Sequence, residues 1–144
     1  RYQPEFFYQI CDELGLMVWQ EMMFACALYP RDSPFLSLVA REISEQVQRL
    51  STHASVVVWG ANNENEAALR WYAPSREHRD LYVADFVKLY IDTVLPAIAA
   101  ADADARPVVD TSPANGIVSS VPYVKRWGNV GVKGDRAAGA WGDV

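Results

Sequence analysis

Apolar residues change their spacing several times along the chain, and each change marks an element. Phe6, Phe7, Ile10 and Leu14 recur at helical intervals behind Pro4, which suits a first helical position, and Gly15 stops the run. A helix is expected there, with those four side chains as its buried stripe. Residues 16–25 (LMVWQEMMFA) are apolar and aromatic, lie between Gly15 and Pro30, and in their first half read as a buried strand. Ser33-Pro34 supplies a capping hydroxyl and a first-turn proline for a second helix. Phe35, Val39, Ile43, Val47 and Leu50 follow in steps of three or four, with Arg41, Glu42, Glu45 and Arg49 on the other side. Ser55-Val56-Val57-Val58-Trp59 is a continuous, β-branched run, the mark of a strand covered on both faces. Asp80 is placed to cap a third helix with a stripe of Val83, Phe86, Val87, Tyr90, Ile91, Val94 and Ile98. Pro107-Val108-Val109-Asp110 reads as a last short strand, running into the turn-rich segment 112–116 (SPANG).

Helix, strand, helix, strand, helix, strand is an α/β order, and buried strands alternating with amphipathic helices imply a parallel sheet built from right-handed crossovers. A doubly wound sheet and a (β/α)₈ barrel both fit. Three strands are visible, whereas a barrel needs eight and roughly 250 residues. The 144 residues suffice for one domain with a real core, and 51% apolar with 22% charged residues is a globular balance. A net charge of −5 and the lack of any Lys/Arg run argue against a nucleic-acid partner. No stretch reaches the ~20 apolar residues of a membrane span, and the opening residues carry no apolar signal-peptide core. The expectation is instead that the chain begins inside a domain. Cys11 and Cys26 are expected as buried free thiols, and no Cys/His spacing suggests a metal; no cofactor is implied.

Directly after the Val-rich strand comes WGANNENE, residues 59–66. In parallel α/β proteins chemistry collects at the C-terminal ends of strands. A carboxylate there is partly desolvated, which favours the protonated form a general acid needs. The flanking Asn side chains offer donors and acceptors suited to sugar hydroxyls. The competing reading is an Asn-rich turn that caps the next helix, with Glu64 and Glu66 merely solvated. Glu66 suits a first helical turn. Glu21, at the end of the preceding strand, either faces the pocket or pairs with a basic neighbour. Trp19, Trp59 and Trp71 are candidate flat faces for sugar rings, Trp71 as a subsite wall, although Trp59 fits a core position equally well. His53 precedes the strand at the far end of the sheet, and His78 lies in a charged loop; neither shows a triad or metal partner set.

Five motifs occur in order: CDELG (11–15), MVWQ (17–20), MFACALYP (23–30), NNENE (62–66) and SPANG (112–116). Together they resemble the β-mannosidases of glycoside hydrolase family 2, within the retaining clan built on (β/α)₈ barrels. The likeness runs from about Tyr2 to Gly116, and residues 117–144 match poorly. It implies that residues 1–144 are part of a TIM barrel, roughly strands 3 to 5 with their helices. It implies Glu64 as general acid/base and Asn63 as partner of the sugar 2-hydroxyl; Trp59, Trp71 and Glu21 stand beside these as further substrate-contact candidates from their positions alone. The family's nucleophile is a Glu in an SEYG-like segment, which this sequence lacks, so one half of the catalytic pair would come from the remainder of the same polypeptide. The implied substrate is a β-mannoside oligosaccharide or glycoprotein glycan, and the implied location lysosomal or secreted in an animal. A clan member acting on β-galactosides or β-glucuronides, or an inactive truncated product that at most binds sugar, is the alternative.

Overall fold

The computed structural model describes residues 1–104 and 106–112. Its first helix, α1 (Glu5–Leu14), leads into strand β1 (Val18–Glu21); helix α2 (Ser33–Leu50) then returns the chain to strand β2 (Val56–Gly60). Two short helices, α3 (Asn65–Ala68) and α4 (Ala73–Glu77), precede a long helical run made of α5 (Arg79–Phe86), a π-helical stretch over Val87–Val94, and α6 (Leu95–Ala101). Strand β3 (Val108–Val109) follows. The sheet is parallel throughout, in the order β1-β2-β3, with Trp19 paired to Val58 and Trp59 to Val108. The α/β class and the central place of the Val-rich strand are as the spacing predicts. Of the expected 112–116 turn only Ser112 lies among the described residues, and 117–144 lie outside them.

The two later helical elements bury the faces expected of them. Val39, Ile43, Val47 and Leu50 of α2 pack with Val94 and Ile98 from the long helical run. Their starts differ in detail. The cap of α2 is Asp32, whose carboxylate accepts from the Phe35 N–H at 3.1 Å, so Ser33 is the first helical residue and not the cap. Both residues are good caps, and only the backbone of Asp32 is extended as a cap must be. Asp80 likewise sits in the first turn of α5, not before it. The π-helical stretch ends just short of Pro96, which has no N–H to donate and whose ring crowds the preceding turn; widening the helix relieves that crowding.

Helix α1 departs furthest from expectation. It buries Tyr8 and Cys11, while Phe6 (62% exposed), Leu14 (67%), Ile10 and Phe7 face outward. Periodicity identifies an apolar stripe but not what covers it. Here the stripe continues into Leu16, Met17 (82% exposed) and Trp19, beside β1, an edge of the described sheet.

Tyr8 and the far end of the sheet are tied together by a cluster the sequence does not announce. His53 Nδ1 lies 2.7 Å from Asp12 Oδ2 and Nε2 lies 2.9 Å from Glu5 Oε1, while the Ser55 N–H donates to Asp12 at 2.7 Å. His53 does sit at the N-terminal end of β2, away from the strand ends that carry Glu64, buried between carboxylates in a structural role. Both ring nitrogens can donate only as the imidazolium. Burial opposes that charge, yet the hydrogen bonds His53 donates to Asp12 and Glu5 outweigh it and raise the His53 pKa. The same contact with His53 holds Asp12 down at about 2. A raised histidine stabilises fully below its unfolded pKa of about 6.5 and loses that contribution as pH rises through the folded value; Asp12 contributes above about 4 and loses it as pH falls toward 2. The clamp is therefore complete between about pH 4 and 6.5. In the full-length protein, His53→Gln should lower the melting temperature most near pH 5 and markedly less at pH 8.5. An equal loss at both pH values would contradict this.

No helix among the described residues is long and apolar enough to cross a membrane.

Candidate active site

Beyond Gly60 the three chain segments stay in parallel register. Asn63 bridges to Ala25 on one side and to Ser112 on the other. The Asn63 N–H donates to Phe24 (3.0 Å), Cys26 N–H to Asn63 (2.9 Å), Ser112 N–H to Asn62 (3.0 Å) and Glu64 N–H to Ser112 (2.8 Å). This ladder carries Glu64 to the C-terminal mouth of the sheet, where it precedes α3. Glu64 has φ 59° and Cys26 has φ 52°, the only left-handed residues other than glycine among those described. Each such residue costs about 1–3 kcal/mol and persists only where its surroundings over-determine it. Here the backbone bonds just described fix both, and the two meet: Cys26 Sγ donates to Glu64 Oε2 at 3.2 Å.

The flanking asparagines divide into scaffold and surface. Asn62 is fully buried; its amide donates to the Asp110 carbonyl (2.8 Å), and its oxygen accepts from Thr111 Oγ1 (2.7 Å) and the Asn65 N–H (3.1 Å). Asn65 is also buried and donates to the Ala27 carbonyl at 2.7 Å. Neither is placed for sugar hydroxyls; they shape the loop that presents Glu64. Asn63 is only half-buried and lines a depression of about 550 Å³ with Tyr2, Glu21, Met23 and Ala25. A neighbouring depression of about 520 Å³ is walled by Phe7, Trp19, Glu21 and Ser112.

Glu21 belongs to both walls. Its Cγ would stand 2.8 Å from a Cβ at position 60, so only Gly60 lets this side chain lie across β2. Burial pushes its carboxyl pKa up, Ser112 offsets this through a hydrogen bond, and the nearby Glu64 charge adds to the rise. Trp71 is 46% exposed and packs edge-on to Tyr72, whose hydroxyl donates to the Cys26 carbonyl at 2.8 Å. That bond ties the segment carrying Trp71 to the rim of the mouth. Trp59 is not a sugar platform: it is wholly buried, and its indole N–H donates to Asp102 at 2.8 Å on the helix-covered side. On a strand covered on both faces, register decides which way the ring points, and here it points away from the mouth. Glu66 is buried within α3. Cys26 is a free thiol as expected but only half-buried, not buried; its partner is 38 residues away, so no local signal marks the contact.

The fold and site define an α/β protein with a carboxylate and a thiol carried on left-handed backbone at the C-terminal mouth of a parallel sheet, the position where such folds do chemistry. No protein-family model matches the chain. The β-mannosidase of Bos taurus is 41% identical over 138 residues, covering 90% of this chain and 16% of the relative, and the probable β-mannosidase of Caenorhabditis elegans is 40% identical over the same length. Among solved structures, the β-D-mannosidase of Dictyoglomus thermophilum superposes with a TM-score of 0.67 at 38% identity, covering 80% of this chain and 14% of that one. The chain is a homologue of the β-mannosidases and spans about 16% of the length of the relatives it matches.

Proposed function

We propose that the full-length protein carrying this segment is a retaining glycosidase that removes terminal β-D-mannose from oligosaccharides or glycoprotein glycans, and that Glu64 is its general acid/base. The observation that carries the reading is the placement of Glu64, left-handed at φ 59° and locked by Ser112 at the mouth of the sheet, in a chain homologous to β-mannosidases. The exposed apolar flank of α1 and β1 supports a larger sheet, and we take the segment as about strands 3 to 5 of a (β/α)₈ barrel.

In the first step Glu64 gives its proton to the glycosidic oxygen as the bond to the anomeric carbon breaks. A second carboxylate, supplied from outside this segment, forms the ester to that carbon and would stand ~5–5.5 Å from Glu64. Glu64, now ionised, takes a proton from water; the water oxygen attacks the anomeric carbon and the nucleophile leaves as carboxylate. Two inversions give retention. Asn63 is assigned to the 2-hydroxyl, with Glu21 and Trp71 as further sugar contacts. If the source is an animal, we place the enzyme in the lysosome or outside the cell.

The test is hydrolysis of 4-nitrophenyl β-mannoside by the full-length protein, followed by NMR. Expected is β-mannose as the first-formed anomer, little activity on the β-galactoside or β-glucuronide, and none from residues 1–144 alone. First-formed α-mannose, or a preference for another glycoside, would overturn the reading.

A further inference from the structure

Between β1 and α2 the chain runs on beside Asn63 and reaches the mouth at Cys26, which the mechanism above does not use. Its backbone is pinned on both sides: the N–H donates to the Asn63 carbonyl at 2.9 Å, and its own carbonyl accepts from Tyr72 Oη at 2.8 Å. A left-handed residue held this way has little freedom in where its side chain goes, and here Sγ stands 3.2 Å from Glu64 Oε2. The hydrogen bond to Glu64 raises the thiol pKa, and burial and the charges of Glu64 and Glu21 push in the same direction. The group is thus a neutral S–H: a donor that keeps its proton.

We propose that Cys26 is a positioning residue for Glu64, its thiol fixing Oε2 so that Oε1 is the oxygen that trades protons with the glycosidic oxygen and with water. The inference rests on the reading of Glu64 as general acid/base. A neutral thiol suits the task in both half-reactions. With Glu64 protonated on Oε1, Oε2 is a carbonyl oxygen and accepts the S–H; with Glu64 ionised, Oε2 accepts it still. The orientation survives the proton transfers, and the thiol does not compete for the proton. Nothing in this role needs the thiolate or a change in sulfur oxidation state.

Orientation of an acid matters in proportion to how much the leaving group needs protonation. In the full-length enzyme Cys26→Ala should lower kcat on methyl β-mannoside by about tenfold with KM nearly unchanged. It should spare formation of the covalent intermediate from 2,4-dinitrophenyl β-mannoside in single-turnover assays. Cys26→Ser, which keeps a donor, should restore most of the loss. Equal losses on both substrates, no loss at all, or a serine variant no better than alanine would overturn the proposal. Should Cys26→Ala fail to fold, the coupling is read from the other side. Glu64→Gln weakens the hydrogen bond and removes the charge that together raise the thiol pKa, so Cys26 should be alkylated by iodoacetamide several-fold faster at pH 8 than in wild type; an unchanged rate overturns the contact. Glu64→Ala run in parallel separates the two readings. If it shows no leaving-group dependence, the acid/base assignment fails; if it does and Cys26→Ala does not, the thiol proposal alone fails.

Discussion

Glu64→Ala in the full-length enzyme is expected to slow hydrolysis of alkyl β-mannosides by about 10²–10⁴-fold, the range spanned by general acid–base catalysis. An alkoxide leaves badly without a proton, so the first step should limit. With a dinitrophenyl mannoside the phenolate leaves unaided; formation of the covalent intermediate should be almost unchanged, and its breakdown, which needs a base to activate water, should become limiting. Azide needs no general base and should restore turnover, giving β-mannosyl azide with retained configuration. The control is the carboxylate two residues on. Glu66 is fully buried inside α3, so Glu66→Gln should leave the kinetics of folded enzyme nearly intact. Azide rescue of a Glu66 variant, without rescue at Glu64, would shift the assignment by two residues.

What the sequence discloses depends on whether the deciding interaction is local. The Val-rich β2 and the stripe of α2 follow from local sequence alone, since a buried parallel strand reads as a short continuous β-branched run and an amphipathic helix as a stripe at steps of three and four. The location of Glu64 at a strand end follows from the same reading. The outward face of α1 does not, because a stripe of Phe6, Ile10 and Leu14 says only that something covers it, not that α1 itself would turn Tyr8 and Cys11 to the sheet. Trp59 shows the same limit: its burial was within reach of sequence reasoning, its direction was not. The partners that matter at the two ends of the sheet are distant along the chain. His53 meets residues 41 and 48 positions away, and Cys26 meets one 38 away, so neither cluster has a local signature. The π-helical stretch had a visible cause in Pro96, but the stripe of Val87, Tyr90, Ile91 and Val94 is buried whether the helix is α or π.

Asp102→Ala should be the most damaging substitution away from the mouth. Asp102 closes α6 and is almost wholly buried. Its carboxylate accepts from Trp59 Nε1 at 2.8 Å, from Arg106 Nη1 at 2.6 Å and from the Arg106 N–H at 3.0 Å. Arg106 in turn donates to the carbonyls of Val56 and Ser51, each at 2.8 Å, so one ion pair joins the start of β2, the end of α2 and the approach to β3. Removing the carboxylate leaves the buried indole N–H without its acceptor and takes from Arg106 the shorter of its two ion pairs, the other running from Nη2 to Asp104 Oδ2 at 3.2 Å; the loss is about 3 kcal/mol, the low end for a broken buried pair. Asp102→Asn keeps an acceptor for Trp59 but not the charge, and should fall between alanine and wild type. Burial works against ionisation of Asp102, but the bonds from Trp59 and Arg106 outweigh it and hold its pKa below the usual range. The stabilisation is therefore present above the unfolded value of about 3.9 and is lost as pH falls through the folded one, so wild type and Asp102→Asn should converge in strong acid. In a protein longer than this segment the reporter must be local, and hydrogen exchange of the Val56–Gly60 amides reads the opening of this sheet. Exchange there should quicken about 10²–10³-fold in Asp102→Ala at pH 7, while kcat per folded molecule stays near wild type because the ion pair lies on the helix side of the sheet. Unchanged exchange would mean that Arg106 finds another partner and that this network does not hold β2 in place.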